Sequence, residues 1–526
     1  MKNNFPNLTE LRRLYPQTVE NLASLPNREA WLKRIWEIEE RWNNFRENPD
    51  KTEEVVLFNS APRDLEVEAE FEIVYAGGTL GLLHAAVMAT KHNRKVLVFD
   101  AHTVGKTHRD WNISDEELQE FVKAGLFTKE EIETAVNNRY KTGFVKFYDA
   151  NSKIKTPPLF MDNVLDVAIE ADKLLGIAAK KLKRSQTNSQ VINNLRFIQA
   201  FVQKEKVLVE CEDQKNGKRR LFSAKLFVDS TGTNSPVSRQ INNGKSITHV
   251  CPTVGTVAKG FKRGGSEKAV DFSVGEILVS TEDSFDNRQL IWEGFAGNPT
   301  KDEYTTYLFF YDSVESKADK SLFRLFEDYF EKLPTYKEKN GAWRVVKPVF
   351  GYIPSIHHRG WNNVKKTATD RVLLVGDAAG LSSPLTFCGF GSHVRNLRRI
   401  TDLTEKSLRE NLFDEKSLSQ INAYEPRVAQ MSSLAEFMRP AENGKSSAVN
   451  ETMNAVMSAL SNLDSIISRE MFQDRISFAS FKKVLMKTAK IHPPVFKKMF
   501  EHLGAKGAFW WIANIAESAW HEKKQK

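Results

Sequence analysis

The sequence predicts an α/β protein: a doubly wound, Rossmann-like domain interrupted by an antiparallel-sheet domain and flanked by helical regions at both ends. Three observations carry this. The turn Ala76-Gly77-Gly78-Thr79-Leu80-Gly81 joins an apolar run, residues 71–76, to an alanine-rich stretch ending near residue 91. A second apolar run opens at Arg371 and delivers another series of small residues, ending at Gly391. Between about residues 250 and 350, apolar and polar residues alternate, as at 289–295 and 304–311, which is the period of a strand.

Composition agrees with a folded chain of several cooperating units. Its 526 residues exceed one small core, and 41% hydrophobic with 27% charged residues leaves little room for extended disorder. Cys211, Cys251 and Cys388 are odd in number and lack paired spacing, which argues against a disulfide framework and for a reducing compartment. The N-terminal residues lack the apolar core of a secretory signal, and no run reaches the length of a membrane-spanning helix. Membrane contact is therefore expected to be peripheral, from the cytoplasmic side. Most of the net charge of +9 sits in residues 481–526, where ten lysines are set against Glu501, Glu517 and Glu522. Two readings fit that tail. It is either a basic amphipathic segment on anionic lipid, helped by Phe500, Phe509, Trp510, Trp511 and Trp520, or a helical pair packed on the core with a solvated lysine face. No nucleic-acid recognition motif accompanies the charge. His84, His102, His108 and His393 show no metal-ligand spacing, so no metal is expected.

Leu and Trp at three- and four-residue steps predict helix over 8–46. A strand at 71–76, a helix to about 91 and a strand at 95–100 make the first strand-helix-strand unit. Ser114 with Glu117 marks a helix start, and helix is expected over 114–140 and over 163–184. Strands are expected at 206–210 and 220–229, and mostly helix from residue 397 onward. The resulting domains are a helical region at 1–66, a dinucleotide domain at 67–240 and 351–400, an antiparallel substrate domain at 241–350, and a basic helical region at 401–526.

The first glycine turn matches the dinucleotide fingerprint except for alanine at its first glycine position. Gly77 and Gly78 let a diphosphate approach the backbone, Gly81 lets the helix pack closely, and the helix start at Thr79 and Leu80 supplies amide hydrogens and a positive dipole. Asp100, 22 residues beyond Gly78, is placed to bind ribose hydroxyls. Such a turn also occurs between strand and helix with no ligand, so context decides. In the second element, RVLLVGDAAGLSSPLTFCGFG from Arg371, a buried strand delivers Gly376 and Asp377 into the turn. Asp377 can accept from a ribitol hydroxyl. Beyond Pro384, Gly389 and Gly391 open a helix whose amides would aim at a flavin ring and stabilise negative charge on it. A third piece, FVDSTGTNSP at 227–236, returns the chain to this domain with Asp229 and Gly232 near the adenosine side. Arg109, Asp110, Trp111 and Asn112 form a loop, either against the flavin or its phosphates, whose charge suits an arginine, or simply at the surface before the Ser114 helix. Together these pieces describe the two ends of one FAD.

Their order resembles the flavoproteins that include aromatic hydroxylases, flavin halogenases, geranylgeranyl reductases and lycopene cyclases. More specifically, YAGGTLGLLHAA from Tyr75, THRDWNISDEE from Thr107, LIWEGFAGNP from Leu290, TTYLFFY from Thr305 and GDAAGLSSPLTFCGFGSHVRNL from Gly376 resemble the CruA-type lycopene cyclases of cyanobacteria and green sulfur bacteria and their CruP-type paralogues. These stretches lie within about residues 70–440 and leave the helical ends uncovered. The resemblance implies cyclisation of lycopene to γ-carotene and β-carotene without net electron transfer, assisted by reduced FAD, with NAD(P)H as an indirect reductant.

Such a reaction needs an acid whose neutral form survives near neutral pH, which points to a carboxyl in an apolar strand. Glu293 is the candidate, although strand alternation allows it to face either the interior or solvent. Glu282 and Asp283 stand behind it. Trp292, Phe295, Phe309 and Phe310 either line an apolar tunnel and stabilise cations or are ordinary core. Two other functions stay open. One is a redox flavoenzyme, a monooxygenase, halogenase or prenyl reductase acting on a hydrophobic substrate; the other is a pigment-binding paralogue without turnover. The halogenase signature of two tryptophans flanking one residue before an Ile-Pro pair is absent.

Overall fold

A computed structural model describes residues 5–47, 52–62, 65–356, 365–380, 383, 385, 389–422, 431, 434–442 and 444–525. Six strands form the dinucleotide sheet, in the order Gln190–Ile192, Val96–Phe99, Ile73–Ala76, Leu226–Asp229, Val372–Leu374, Ala368–Thr369. All neighbours are parallel except the last pair. In chain order the first five run third, second, first, fourth, fifth, which is the doubly wound order, and the direction of winding reverses between Ile73–Ala76 and Leu226–Asp229. These two strands and Val96–Phe99 are buried along their whole length, as parallel strands covered on both faces must be. Helix Leu80–Thr90 is buried from Gly81 to Ala89, which is why its sequence is apolar nearly all round. Helices Ala171–Arg184 and Gly389–Glu410 cover it.

A second, five-stranded sheet covers the opposite face, built on the meander Leu195–Val202, Val207–Asp213 and Arg219–Ala224. Residues 220–229 are therefore two strands in two sheets, divided at the exposed Lys225. The region expected to be helical up to residue 66 also contributes a strand, Val56–Phe58, which pairs with Leu195–Val202.

The substrate sheet has eight strands, and two of them, Thr142–Lys146 and Leu159–Met161, come from the span assigned to the dinucleotide domain. The helix expected over 114–140 breaks into short segments, and its last residues form strand Val136–Arg139 instead. Gly125, at φ +74°, ends its second short segment, and Thr128 with Glu131 forms a new capping box for Lys129–Ala135. The helix expected over 163–184 likewise begins only at Ala171, after strand Val167–Ile169. Long paired strands His249–Phe261 and Lys339–Ser355 form the spine of the substrate sheet, flanked by Tyr304–Phe309 and Ile291–Ala296.

Helix Leu322–Tyr336 closes one face of that sheet. Trp292 stacks on Tyr336, with ring centroids 4.8 Å apart, and the Tyr329 hydroxyl hydrogen-bonds to Thr256 and Thr306 at 2.6 Å each. Helix Arg28–Glu47 holds the assembly from outside: Trp42 stacks on Tyr352 at 4.7 Å, and the Glu39 carboxylate accepts from the Leu322 and Phe323 amides. A carboxylate at a helix N-terminus satisfies amides that lack partners within the helix and complements its dipole. One apolar cluster joins the N-terminal helices, the substrate sheet and the helices beyond residue 440. The two helical ends thus pack chiefly on the substrate unit. Replacing Trp292 by alanine is expected to lower stability by about 3–5 kcal/mol through the cavity left between Tyr336 and Tyr329, which urea unfolding followed by circular dichroism will measure.

Candidate cofactor and active site

The two glycine turns, almost 300 residues apart in the chain, meet at the carboxyl ends of the parallel strands. A Cβ on Gly376, at φ +64°, would lie 3.1 Å from Leu80 Cδ1, so the second turn rests on the first residue of the fingerprint helix. The first turn is equally confined. A Cβ on Gly77, at φ +111°, would lie 2.2 Å from the Ser230 carbonyl oxygen, and one on Gly81 would lie 1.9 Å from Ser230 Oγ. Gly81 thus admits Ser230, at the end of the neighbouring strand, and the serine hydroxyl donates to the Ala76 carbonyl at 2.8 Å. Asp100 Oδ2 accepts from the Gly78 amide and Oδ1 from the His102 amide, each at 2.8 Å. Its carboxylate is held at the lip of the turn, with lone pairs still available to sugar hydroxyls. Thr79, the N-cap of helix Leu80–Thr90, makes no side-chain cap bond, so first-turn amides of this helix are available to an anion. This donor set, with backbone exposed at the winding reversal, fits the diphosphate and ribose of a dinucleotide.

The Arg109 loop joins the same place from the substrate side. Arg109 Nη1 lies 3.8 Å from Asp377 Oδ2, and Nη2 donates to the Tyr352 carbonyl at 3.3 Å. Trp111 stacks on Phe390, next to Gly389 at the start of helix Gly389–Glu410, at 4.1 Å between centroids. Asp110 accepts from Lys347 Nζ at 2.8 Å, and its backbone bonds to the Tyr307 hydroxyl. Loop, second turn and substrate sheet therefore form one wall.

Glu293 belongs to that wall. Its strand pairs it with Tyr307, so it shares the face that meets Asp110, opposite the face covered by helix Leu322–Tyr336. It is 2% exposed and hydrogen-bonds to Asn112. Burial pushes its pKa up from 4.5 to about 8, against the lowering effect of the Asn112 bond, so the carboxyl is largely neutral at pH 7. The Asn112 Oδ1 is buried and has no hydrogen-bond partner within the protein. Glu282 is engaged by Lys332 at 2.7 Å and Asp283 by Asn151 and Asn450, so neither resembles Glu293. The four aromatic candidates divide. Phe295 and Phe309 lie on the Glu293 face, whereas Trp292 packs under helix Leu322–Tyr336, and Phe310 lies beyond the strand end beneath the Arg288 guanidinium. Strand alternation assigns Trp292 to the structural face.

Of three further residues expected to line the cofactor, two meet other groups and one stands open. Asp229 is fully buried, and its carboxylate accepts from the Thr231 amide and the Ser235 hydroxyl, fixing the loop after its strand. Gly391 makes room for Glu117, whose Oε2 would lie 2.2 Å from a Cβ there. Gly232, at φ +94°, opens onto free space. Pro384 lies outside the described residues, as does Cys388.

Two buried ionisable groups near the site were not expected there from the sequence. Lys365 donates to the Ala378 carbonyl at 2.8 Å beneath the second turn, and burial pushes its pKa down to about 7, opposed by Asp229 and Asp377. Glu117, read only as a helix-capping residue, also pairs with Arg395 of helix Gly389–Glu410 and carries a carboxyl raised by burial. Among the described residues, no group of three or more His, Cys, Asp or Glu side chains could hold a metal ion.

This architecture is a Rossmann-like fold shared with FAD-dependent flavoproteins, with an eight-stranded sheet set beside the dinucleotide sheet. No protein-family model matches the chain, and no curated protein matches it in sequence. Solved structures do share its fold. A geranylgeranyl bacteriochlorophyll reductase-like protein from Thermoplasma acidophilum superposes with a TM-score of 0.58 at 15% identity, covering 82% of this chain and 98% of that one. A flavoprotein/dehydrogenase from Cytophaga hutchinsonii gives 0.54 at 12% identity, covering 81% and 100%. The halogenase PltM, solved with phloroglucinol and FAD, gives 0.53 at 15% identity, covering 86% and 95%.

Gly77→Ala is expected to destabilise the chain by about 2–3 kcal/mol, because positive φ and a backbone clash coincide, and Gly232→Ala by only about 1 kcal/mol; urea midpoints of the two variants will rank them. Because the Glu293 pKa is higher in the folded state, its neutral form binds a proton that the unfolded chain releases. Its contribution to stability is fully present below pH 4.5, is lost as pH rises through about 8, and stays lost above. Glu293→Gln should therefore flatten the fall in stability between those limits, which denaturation at a series of pH values will read.

Proposed function

We propose that this chain is an FAD-binding enzyme acting on an apolar substrate, with Glu293 as its proton donor. The observation that carries this is the position of a buried, neutral carboxyl on the wall shared by the Arg109 loop and the second glycine turn. Gly77, Gly78 and the start of helix Leu80–Thr90 would receive the diphosphate, Asp100 the adenosine ribose, and Asp377 the ribitol. The Arg109 guanidinium, poised beside Asp377, supplies positive charge to the same cradle. Reduced FAD, when bound, would supply negative charge that stabilises cationic character in the substrate.

The finer reading, from the resemblance of the motifs, is lycopene cyclisation. Glu293 gives its proton to a terminal alkene, the tertiary cation is captured by a neighbouring double bond, and loss of a proton closes the ring. The net change is an isomerisation, with no electrons gained or lost. Exclusion of water by Phe295, Phe309 and Tyr307, all buried, preserves the cation and strengthens every electrostatic interaction around it. The second reading is redox catalysis on a hydrophobic molecule, which the shared fold with a reductase-like protein and a halogenase favours.

One experiment separates them. Expressed in cells that accumulate lycopene, the chain should turn red cells orange and yield cyclised carotenoid by chromatography, and Glu293→Gln should reduce the product at least about a hundredfold, within the usual range for a lost acid catalyst. Folded, yellow protein that leaves lycopene untouched and consumes NAD(P)H in step with substrate would instead establish the redox reading. With Glu293 as the acid, cyclisation should fall as pH rises through about 8.

A further inference from the structure

The helix Val495–Gln525 carries large apolar side chains on its outward side as well as on the side packed against the protein. It bends at Gly504, where φ is 65° and ψ 171°. Beyond the bend, Ala508, Trp511 and Ile515 pack on Phe437 and Leu485, and Trp511 meets the Phe437 ring edge-on at 5.5 Å. The outer stripe is also apolar. Phe509, Ile512 and Trp520 are 63%, 52% and 44% exposed, and they follow one another along one side of the helix with Ala516 between the last two. Phe500, before the bend, and Met486, on the adjoining helix Phe478–Ile491, are 51% and 60% exposed. A surface helix ordinarily turns its polar side outward, and five large apolar side chains exposed in one region mark a site of contact.

The charges say with what. Lys482, Lys483, Lys490, Lys506, Lys523 and Lys524 are exposed around these apolar residues, while Glu517 and Glu522 are buried, the latter accepting from the Phe478 amide at 2.7 Å. Carboxylates have been turned inward and ammonium groups outward. A second copy of the chain would bring like charges together, which opposes association. An anionic bilayer complements both features: aromatic and aliphatic side chains enter the interface, and each lysine adds attraction to the lipid phosphates.

We infer that this C-terminal surface docks the protein on an anionic membrane in the plane of the interface, independently of cofactor and reaction. No helix among the described residues is long and apolar enough to cross a membrane, and docking requires none. The proposal does not rest on the assignment of substrate, although an apolar substrate dissolved in lipid would then be within reach.

The test is co-sedimentation of the full chain with vesicles of phosphatidylcholine, with and without phosphatidylglycerol. Binding should appear with the anionic vesicles, fall about tenfold or more without phosphatidylglycerol, and weaken as salt is raised. Phe509→Asp with Ile512→Asp should abolish it while circular dichroism stays unchanged, since both side chains are exposed. Lys506→Glu with Lys523→Glu should remove the anionic preference and leave Phe509 and Ile512 in place. Failure to bind anionic vesicles overturns the inference, as does equal binding by the aspartate variant. A dimer seen by light scattering that those aspartates dissolve, with no vesicle binding by the parent, would assign the surface to a second copy instead.

Discussion

The contact of Ser230 with the first glycine turn constrains everything around the crevice. Strands Ile73–Ala76 and Leu226–Asp229 are adjacent and parallel, and their chains leave the sheet in opposite directions, so their carboxyl ends must pass within backbone contact of each other. Ser230 bonds to the Ala76 carbonyl through both its amide and its hydroxyl at 2.8 Å. That arrangement fills the space a side chain at residue 77 or 81 would need. A gap thus opens only outward, toward helix Leu80–Thr90 and Asp100. The second turn then closes one side of the opening by resting Gly376 on Leu80.

The substrate sheet is positioned by a different kind of interaction. Asp110 ties the loop after Asp100 to Lys347 and Tyr307, residues of two separate strands. Because Tyr307 and Glu293 are direct cross-strand partners, the same tether sets the distance between cofactor loop and carboxyl. Burial does the rest. A carboxyl surrounded by Phe295, Tyr307 and Asn112 loses its hydration and keeps its proton. The helix on the reverse face, capped by Glu39, keeps water from entering through the sheet.

The glycine turns and the doubly wound class were legible because glycine, alanine and the apolar runs report local backbone requirements that survive any tertiary context. The existence of an antiparallel sheet was legible from alternation, but which side of it is inner was not: Glu293 and Trp292 are adjacent, equally plausible in pattern, and assigned to opposite faces by helix Leu322–Tyr336. Lys365 carries no pattern at all, since its setting depends on a carbonyl thirteen residues away, on Asp229 at a strand end and on Asp377 in the second turn. Glu117 could be read as half of a capping box, yet its pairing with Arg395 joins segments 278 residues apart. Asp229, expected near the adenosine side, holds its own loop through the Thr231 amide and the Ser235 hydroxyl, partners two and six residues on that its strand-end position alone does not reveal. The breaks in the helix expected over 114–140 were written in Gly125 and Thr128, but that its last residues become strand Val136–Arg139 depends on a partner farther along the chain, Val167–Ile169.

The grip of helix Arg28–Glu47 on Tyr352 and on the start of helix Leu322–Tyr336 has a consequence for biosynthesis. Trp42 and Glu39 are translated about 300 residues before the groups they engage. At ribosomal speeds of about 5–20 residues per second, the helix waits tens of seconds for its seat. During that interval Trp42, Ile35 and Leu32, all buried in the finished protein, are available to wrong partners, which makes this helix a natural client for a chaperone at the tunnel exit.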